Sequence, residues 1–297
     1  MKRKLTLLRL ANYTLLMIWF PGNALSQPGT PNSMAVTDTI KSVLKESPHS
    51  LYAGTGYGSN LIYLGSTISR DQPYGFASLT YGFKNEFFAS LSTIHLTDIN
   101  PFLAFYTGSL NYSHVFNSWL DMSVGIYRYH VAPSLTDTLF SNFTYGDLGL
   151  GFDWKLIYSR ISAGGLLSDE NMAYFQIKNS RYFQTPELLN NKLNISFDPY
   201  VNLLFGTLIK AETTTGTIIT LSSPYRKWRN ANQSTSTTTY SRTFGIMEID
   251  LGLPVAFNTD RLTIEAEVSY VLPVYDDPDF PGRKGFVFLL SGYFRFF

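Results

Sequence analysis

Four carboxylates, Glu248, Asp250, Glu265 and Glu267, fall as two pairs in which the members are two residues apart. On an extended strand residues i and i+2 project to the same face, so each pair would point one way. The intervening Asn258-Thr259-Asp260 has turn chemistry, and a hairpin there would set the two pairs side by side. Four like charges on adjacent faces repel unless they are paired. Lys155, Lys178, Arg181 and Arg295 are the candidate counter-charges, and Asp153 falls on the same kind of polar face as the carboxylates. Such a patch has two uses: a cation-attracting constriction or solute site in a pore, or a salt-bridge and hydrogen-bond network that fills an interior.

Other chemistry is thin. The histidines are His49, His95, His114 and His130. Only His95 has a hydroxyl and a carboxylate nearby, Thr93 and Asp98, the ingredients of a nucleophile, base and orienting acid. No histidine pair has metal-ligand spacing and there is no cysteine, so neither a metal site nor a cofactor is expected, and disulfides are excluded. Arg226, Lys227, Trp228 and Arg229 form a basic segment that reads as a solvated loop or as a contact for anionic lipopolysaccharide. The net charge of +1 points to no nucleic-acid partner.

The elements that must position these groups read as strands. Aromatics make up 16% of the residues and charged groups 15%, and mean hydropathy is -0.02 because polar and apolar residues are interleaved. Period two recurs over long runs. In 144–157, Leu148, Leu150, Phe152, Trp154 and Leu156 share one face, with Asp147, Gly149, Gly151, Asp153 and Lys155 on the other. In 193–209 the apolar face runs from Leu193 to Phe205, opposite Asn194, Ser196, Asp198, Tyr200 and Asn202. In 244–257, Met247, Ile249, Leu251, Leu253, Val255 and Phe257 are set against Glu248 and Asp250. In 262–270, Leu262, Ile264, Ala266, Val268 and Tyr270 oppose Thr263, Glu265, Glu267 and Ser269. The chain ends in Lys284–Phe297, whose even positions are oily and whose last residue is aromatic. These runs exceed the usual five or six residues of soluble strands and match the roughly nine to eleven that a tilted strand needs to cross a bilayer.

About twelve strands are expected, with ten as the smaller alternative: Leu51–Gly65, Tyr74–Phe83, Phe87–Thr97, Phe102–Phe116, Leu120–Ala132, Tyr145–Ile157, Ile161 to about Gln184, Leu193–Ile209, Gly216–Pro224, Arg242–Phe257, Arg261–Tyr275 and the terminal run. Short turns alternate with longer polar connections, and 133–143, 185–192, 225–240 and 276–284 are expected outside the cell. If apolar faces meet lipid, the other parity lines the lumen, where Tyr127, Tyr129, Tyr200 and Tyr293 would narrow the passage. Ahead of the strands, Lys2, Arg3, Lys4 and Arg9 precede an apolar run from Leu10 to Phe20, and Ala24 and Ser26 supply small residues for cleavage after Ser26, the layout of a secretion signal. Residues 27–49 read as a linker or short periplasmic helix, and 50–297 as the membrane domain.

The alternation, the turn and loop asymmetry and the terminal Phe297 resemble the Gram-negative outer-membrane β-barrel superfamily. That resemblance implies an all-β, antiparallel up-and-down transmembrane barrel in the outer membrane, with Phe297 part of the signal read by the barrel assembly machinery and with outer-membrane lipid and lipopolysaccharide as surroundings. Such barrels include pores, enzymes, adhesins and structural proteins. The residues favour passage or binding of small polar solutes through an acidic lumen. The other classes are a lipase-like outer-membrane hydrolase using His95, although the serine and histidine pattern of an outer-membrane phospholipase is missing, and a structural or surface-interaction barrel.

Overall fold

Alternation of side chains becomes alternation of environment in the computed structural model, which describes residues 47–297 apart from 64, 70, 98, 137–141, 168–171, 187, 189–192, 214–215, 222–237 and 276–283. The signal segment, the leader to residue 46, Asp98, the Arg226–Arg229 segment and most of the 276–284 connection lie outside the described residues. Within them the usual sorting of a soluble protein is inverted. Leu91 and Leu110 are 69% and 62% exposed, while Glu248 and Asp250 are 0% exposed. Leucines therefore cover the outside and carboxylates line the inside, as in a barrel whose outer solvent is hydrocarbon.

Twelve strands make the wall: β1 (His49–Gly58), β2 (Tyr74–Phe83), β3 (Phe87–Leu96), β4 (Phe105–Val115), β5 (Leu120–Val131), β6 (Phe143–Asp153), β7 (Tyr158–Leu166), β8 (Met172–Ser180), β9 (Tyr200–Thr213), β10 (Thr238–Asn258), β11 (Leu262–Pro273) and β12 (Gly285–Arg295). Each pairs antiparallel with the next, and β12 returns to β1 in a ladder from Tyr52↔Arg295 to Gly58↔Leu289. Closure leaves no edge strand in the wall, so its backbone groups are satisfied without water. Phe296 continues the seam by donating its N–H to the Leu51 carbonyl.

The turns at one end have local causes. Lys84 and Asn85 both take left-handed φ between β2 and β3, the twist that tight hairpins need. Asn117 Oδ1 accepts the backbone N–H groups of Trp119 and Leu120 between β4 and β5, a side chain standing in for a backbone turn. Thr259 and Leu262 exchange backbone and side-chain hydrogen bonds between β10 and β11.

The expected count of twelve holds, but its partition changes. The run from Ile161 to Gln184 is two wall strands, β7 and β8, paired from Met172↔Leu166 to Ser180↔Tyr158. Its 24 residues suffice for two crossings, and the polar Ser168-Asp169-Glu170-Asn171 divides it. The Gly216–Leu221 segment is not a wall strand: it folds back on Leu208–Thr213, the loop-end extension of β9. Connection 185–192 consequently belongs to the turn end rather than the outside. There Phe183–Gln184 pairs with Ser196–Phe197, and Asn194–Phe197 pairs with Val255–Asn258 of β10. The expected strand Leu193–Ile209 is interrupted at Asp198-Pro199, where proline has no N–H to give the ladder.

Met247 is a further correction. The register slips by one residue between Leu204↔Glu248 and Phe205↔Ile246. This β-bulge turns Met247 inward beside Glu248, and Met247 is 1% exposed instead of meeting lipid. An extra residue on one strand re-aims every side chain beyond it.

Candidate functional site

The acidic patch forms on the inner face of β8 to β11. The ladder sets Lys178 opposite Asn202, and Asn202 opposite Asp250. Glu267 lies opposite Pro254 and Glu265 opposite Ala256, whereas Glu248 and Asp250 lie opposite Pro273 and Val271, so the β10–β11 hairpin carries two carboxylate pairs on one inner face, Glu248 with Asp250 toward the loop end and Glu265 with Glu267 toward the turn end. Asn202 Nδ2 donates to Asp250 Oδ2 at 2.9 Å, and Tyr200 Oη donates to Glu267 Oε1 at 2.6 Å. The Lys178 ammonium rests 3.8 Å from the centre of the Tyr200 ring, facing Asp198, Glu265 and Glu267. Glu248 faces Asp250 carboxyl to carboxyl, and beyond Asp250 neither of its oxygens has a hydrogen-bond partner among the described residues. Tyr200 can lie flat here because Gly252 opposite it has no Cβ: one would strike the ring. Five buried carboxylates, Asp198, Glu248, Asp250, Glu265 and Glu267, thus share this wall with one buried ammonium among the described residues.

A second charged group occupies the inner face of β5 to β7. Arg160 is its centre, with Nη1 3.7 Å from Asp121 Oδ1 and Nη2 donating to Ser123. Tyr158 Oη donates to both Asp121 oxygens, at 3.1 and 3.0 Å. Asp147 also faces Arg160, and Tyr127 Oη donates to Asn111 Oδ1 close by. Gly149 makes room, since a Cβ there would stand 2.6 Å from Arg160 Nη2.

Toward the loop end the lumen turns apolar. The connection 59–73 folds inward and buries Leu61, Ile62 and Ile68 at 1%, 1% and 4% exposure. A polar knot holds it: Asn60 Nδ2 donates to Asp71 Oδ1, while Thr67 and Ser69 hydroxyls donate to Asn60 Oδ1. Gly65, at φ +83°, packs beside Met247 and Leu204 on the far wall, and the Tyr275 hydroxyl donates to its carbonyl. A side chain at this position would be strained by the left-handed φ. Leu61 and Ile68 join Ile94, Leu96, Ala104, Phe105, Val131, Leu135 and Phe143 in one apolar layer. The stretch read as the end of the first strand is thus a plug.

The expected site residues therefore separate. Lys178 faces Glu265 and Glu267, while Glu248 and Asp250 form a pair of their own nearer the loop end. Asp153 lies in the arginine group, near Asp121, and accepts the Lys155 N–H at the β6–β7 turn. Lys155 is corrected from lumen partner to exposed turn residue, because its left-handed φ of 69° takes the chain out of the strand. Arg295 sits at the turn end beside Tyr52, where its Nε donates to the Phe297 carbonyl. Arg181 likewise donates to the Lys155 carbonyl. Arg160 falls in the gap between the expected strands that end at Ile157 and start at Ile161, although Tyr158, Arg160 and Ser162 share the inward parity. His95 faces outward, its Nδ1 2.6 Å from the Phe102 carbonyl and its ring stacked on Phe102 at 4.3 Å. His114 pairs with Glu86 at the turn end.

Outside, aromatics ring both ends of the apolar belt. Tyr57, Phe102, Tyr106, Phe244 and Phe286 are exposed at the loop end, and Tyr81, Phe87, Trp119, Trp154, Phe257 and Phe296 at the turn end. Two aromatic girdles around a closed wall with a polar inside decide the assignment. The chain is an outer-membrane-type β-barrel. No protein-family model matches it, and no curated protein matches it. Among solved structures, this barrel is similar to the NanC porin at 11% identity over 82% of this chain and 98% of that one, with a TM-score of 0.44. It is similar to the KdgM porin at 8% identity over 82% and 98%, TM-score 0.44, and to LpxR from Salmonella typhimurium at 7% identity over 83% and 99%, TM-score 0.46. These likenesses concern architecture; the barrel assignment stands on the strand pairing and the two faces of the wall.

Proposed function

We propose that this barrel binds and passes small cationic solutes through its acidic lumen in the outer membrane, and that the 59–73 plug holds it closed. The observation that carries this is the excess of acid on the β8–β11 wall, five buried carboxylates with one buried ammonium among the described residues. Desolvated carboxylates in excess favour a mobile positive partner, the basis of cation selectivity in acid-lined pores. The plug supports a passage that opens rather than a permanently open one, since its apolar side chains seal the loop end above the charged level. A structural barrel is the second reading, favoured by the tight stacking of the lumen aromatics such as Tyr129 on Phe143, with ring centres 4.4 Å apart.

Planar-bilayer conductance of the refolded full-length barrel separates the two. Wild type is expected to be mostly silent. Replacing residues 60–71 with Gly-Ser-Gly should give steady, cation-preferring currents, and adding Glu265→Gln and Glu267→Gln should remove the preference. Silence from a shortened barrel that still shows heat-modifiable mobility on a gel would reject passage and leave the structural reading.

A further inference from the structure

A cation on the outer face is as out of place as an acid excess within. Burial along β5 alternates from Ser123 onward, Tyr127 and Tyr129 inward, Arg128 and His130 exposed on the lipid side. Below Arg128 on the same face come Ile126 and Val124, 46% and 43% exposed, flanked by Leu110 and Leu148. Arg128 Nη1 donates to Thr144 Oγ1 at 2.9 Å, and the rest of its fork has no partner among the described residues. Its other neighbour across the ladder is Gly108, and Gly146 follows Thr144 by two. A Cβ at Gly108 or Gly146 would find its nearest atom at 3.8 or 3.7 Å, so the guanidinium borders a shallow notch. Tyr106, opposite His130, marks the level of the loop-end girdle. Among the described side chains of the wall, no Asp or Glu faces outward.

We propose that this notch on β4 to β6, built by Arg128, Thr144, His130 and the two glycines, binds a phosphate of a phosphorylated lipid headgroup in the outer leaflet. An arginine facing hydrocarbon costs about 2–4 kcal/mol at mid-membrane and close to nothing at the interface. At girdle height it therefore reaches headgroups, where a phosphate matches the fork with two parallel hydrogen bonds. The Thr144 bond fixes the guanidinium, and a carboxylate-free outer face lets an anion approach. This site is independent of the lumen.

The test is titration of the refolded barrel in maltoside micelles with diphosphoryl lipid A, fully dephosphorylated lipid A and inorganic phosphate, read by the shift in thermal unfolding. Diphosphoryl lipid A should bind wild type saturably, and the other two should leave the midpoint unmoved. Arg128→Ala should weaken binding about tenfold or more, the loss of one charge-assisted bidentate contact. Arg128→Lys keeps stem and charge, so it should fold regardless and bind about threefold more weakly than wild type. Equal binding by wild type and both variants would overturn the site. An equal shift with dephosphorylated lipid would make the contact apolar, and one with inorganic phosphate would make it a free-anion site; either outcome rejects a lipid phosphate ligand.

Discussion

The two charged groups of the lumen are made from the same residue types and reach different ends. On the β5–β7 wall, Arg160 is tied to Asp121 and Ser123, and Tyr158 closes the remaining side of the Asp121 carboxylate. On the β8–β11 wall five buried carboxylates stand with one buried ammonium among the described residues; it faces Asp198, Glu265 and Glu267, while Glu248 and Asp250 face each other. Part of the difference is the cation itself. A guanidinium is a rigid fork that organises several acceptors at once, whereas an ammonium is a point charge on a flexible stem. On the proposed function the first group acts as a brace around one organising guanidinium and the second as the site, since its carboxylates outnumber the ammonium that faces them.

Arg160→Met should have the largest effect on that contrast. It strips the charge from a buried group and should cost about 3–5 kcal/mol in stability, measured by urea unfolding of the refolded barrel. A loss under about 1 kcal/mol would mean the arginine group is not a brace. Asp121→Asn removes one acceptor of the same network, so a loss of about 1–2 kcal/mol is expected in the same assay. Glu265→Gln with Glu267→Gln should do the reverse: relieving like-charge repulsion should leave stability level or raise it by about 1 kcal/mol. If that double variant were destabilised as much as Asp121→Asn, the two walls would be equivalent and the distinction between brace and site would fall.

How much of this was legible follows from the period. Strict alternation identified the inward carboxylates Glu265 and Glu267 and the outward Leu262, Ile264 and Val268, because on a strand the face of each residue is fixed by its neighbours. It failed wherever the count was broken. Met247 looked outward until the bulge shifted its parity. Lys155 looked inward until a left-handed turn removed it from the strand. The Asp198-Pro199 break and the β7–β8 hairpin escaped for a similar reason, since polar residues on an inward face and polar residues in a turn look the same.

The sequence by itself determined the class of fold: long period-two runs cannot bury both faces in water, and a closed wall in lipid is the arrangement that satisfies them. It also determined which residues carry acid. Only the tertiary structure decided which charges meet, because partners such as Tyr200 and Glu267, 67 residues apart in the chain, are joined by ladder register. The plug is likewise a tertiary decision. Leu61 and Ile68 are ordinary loop leucine and isoleucine until the closed barrel gives them an apolar layer to enter, and hydrophobic burial, which has no direction of its own, takes the shape that the wall leaves for it.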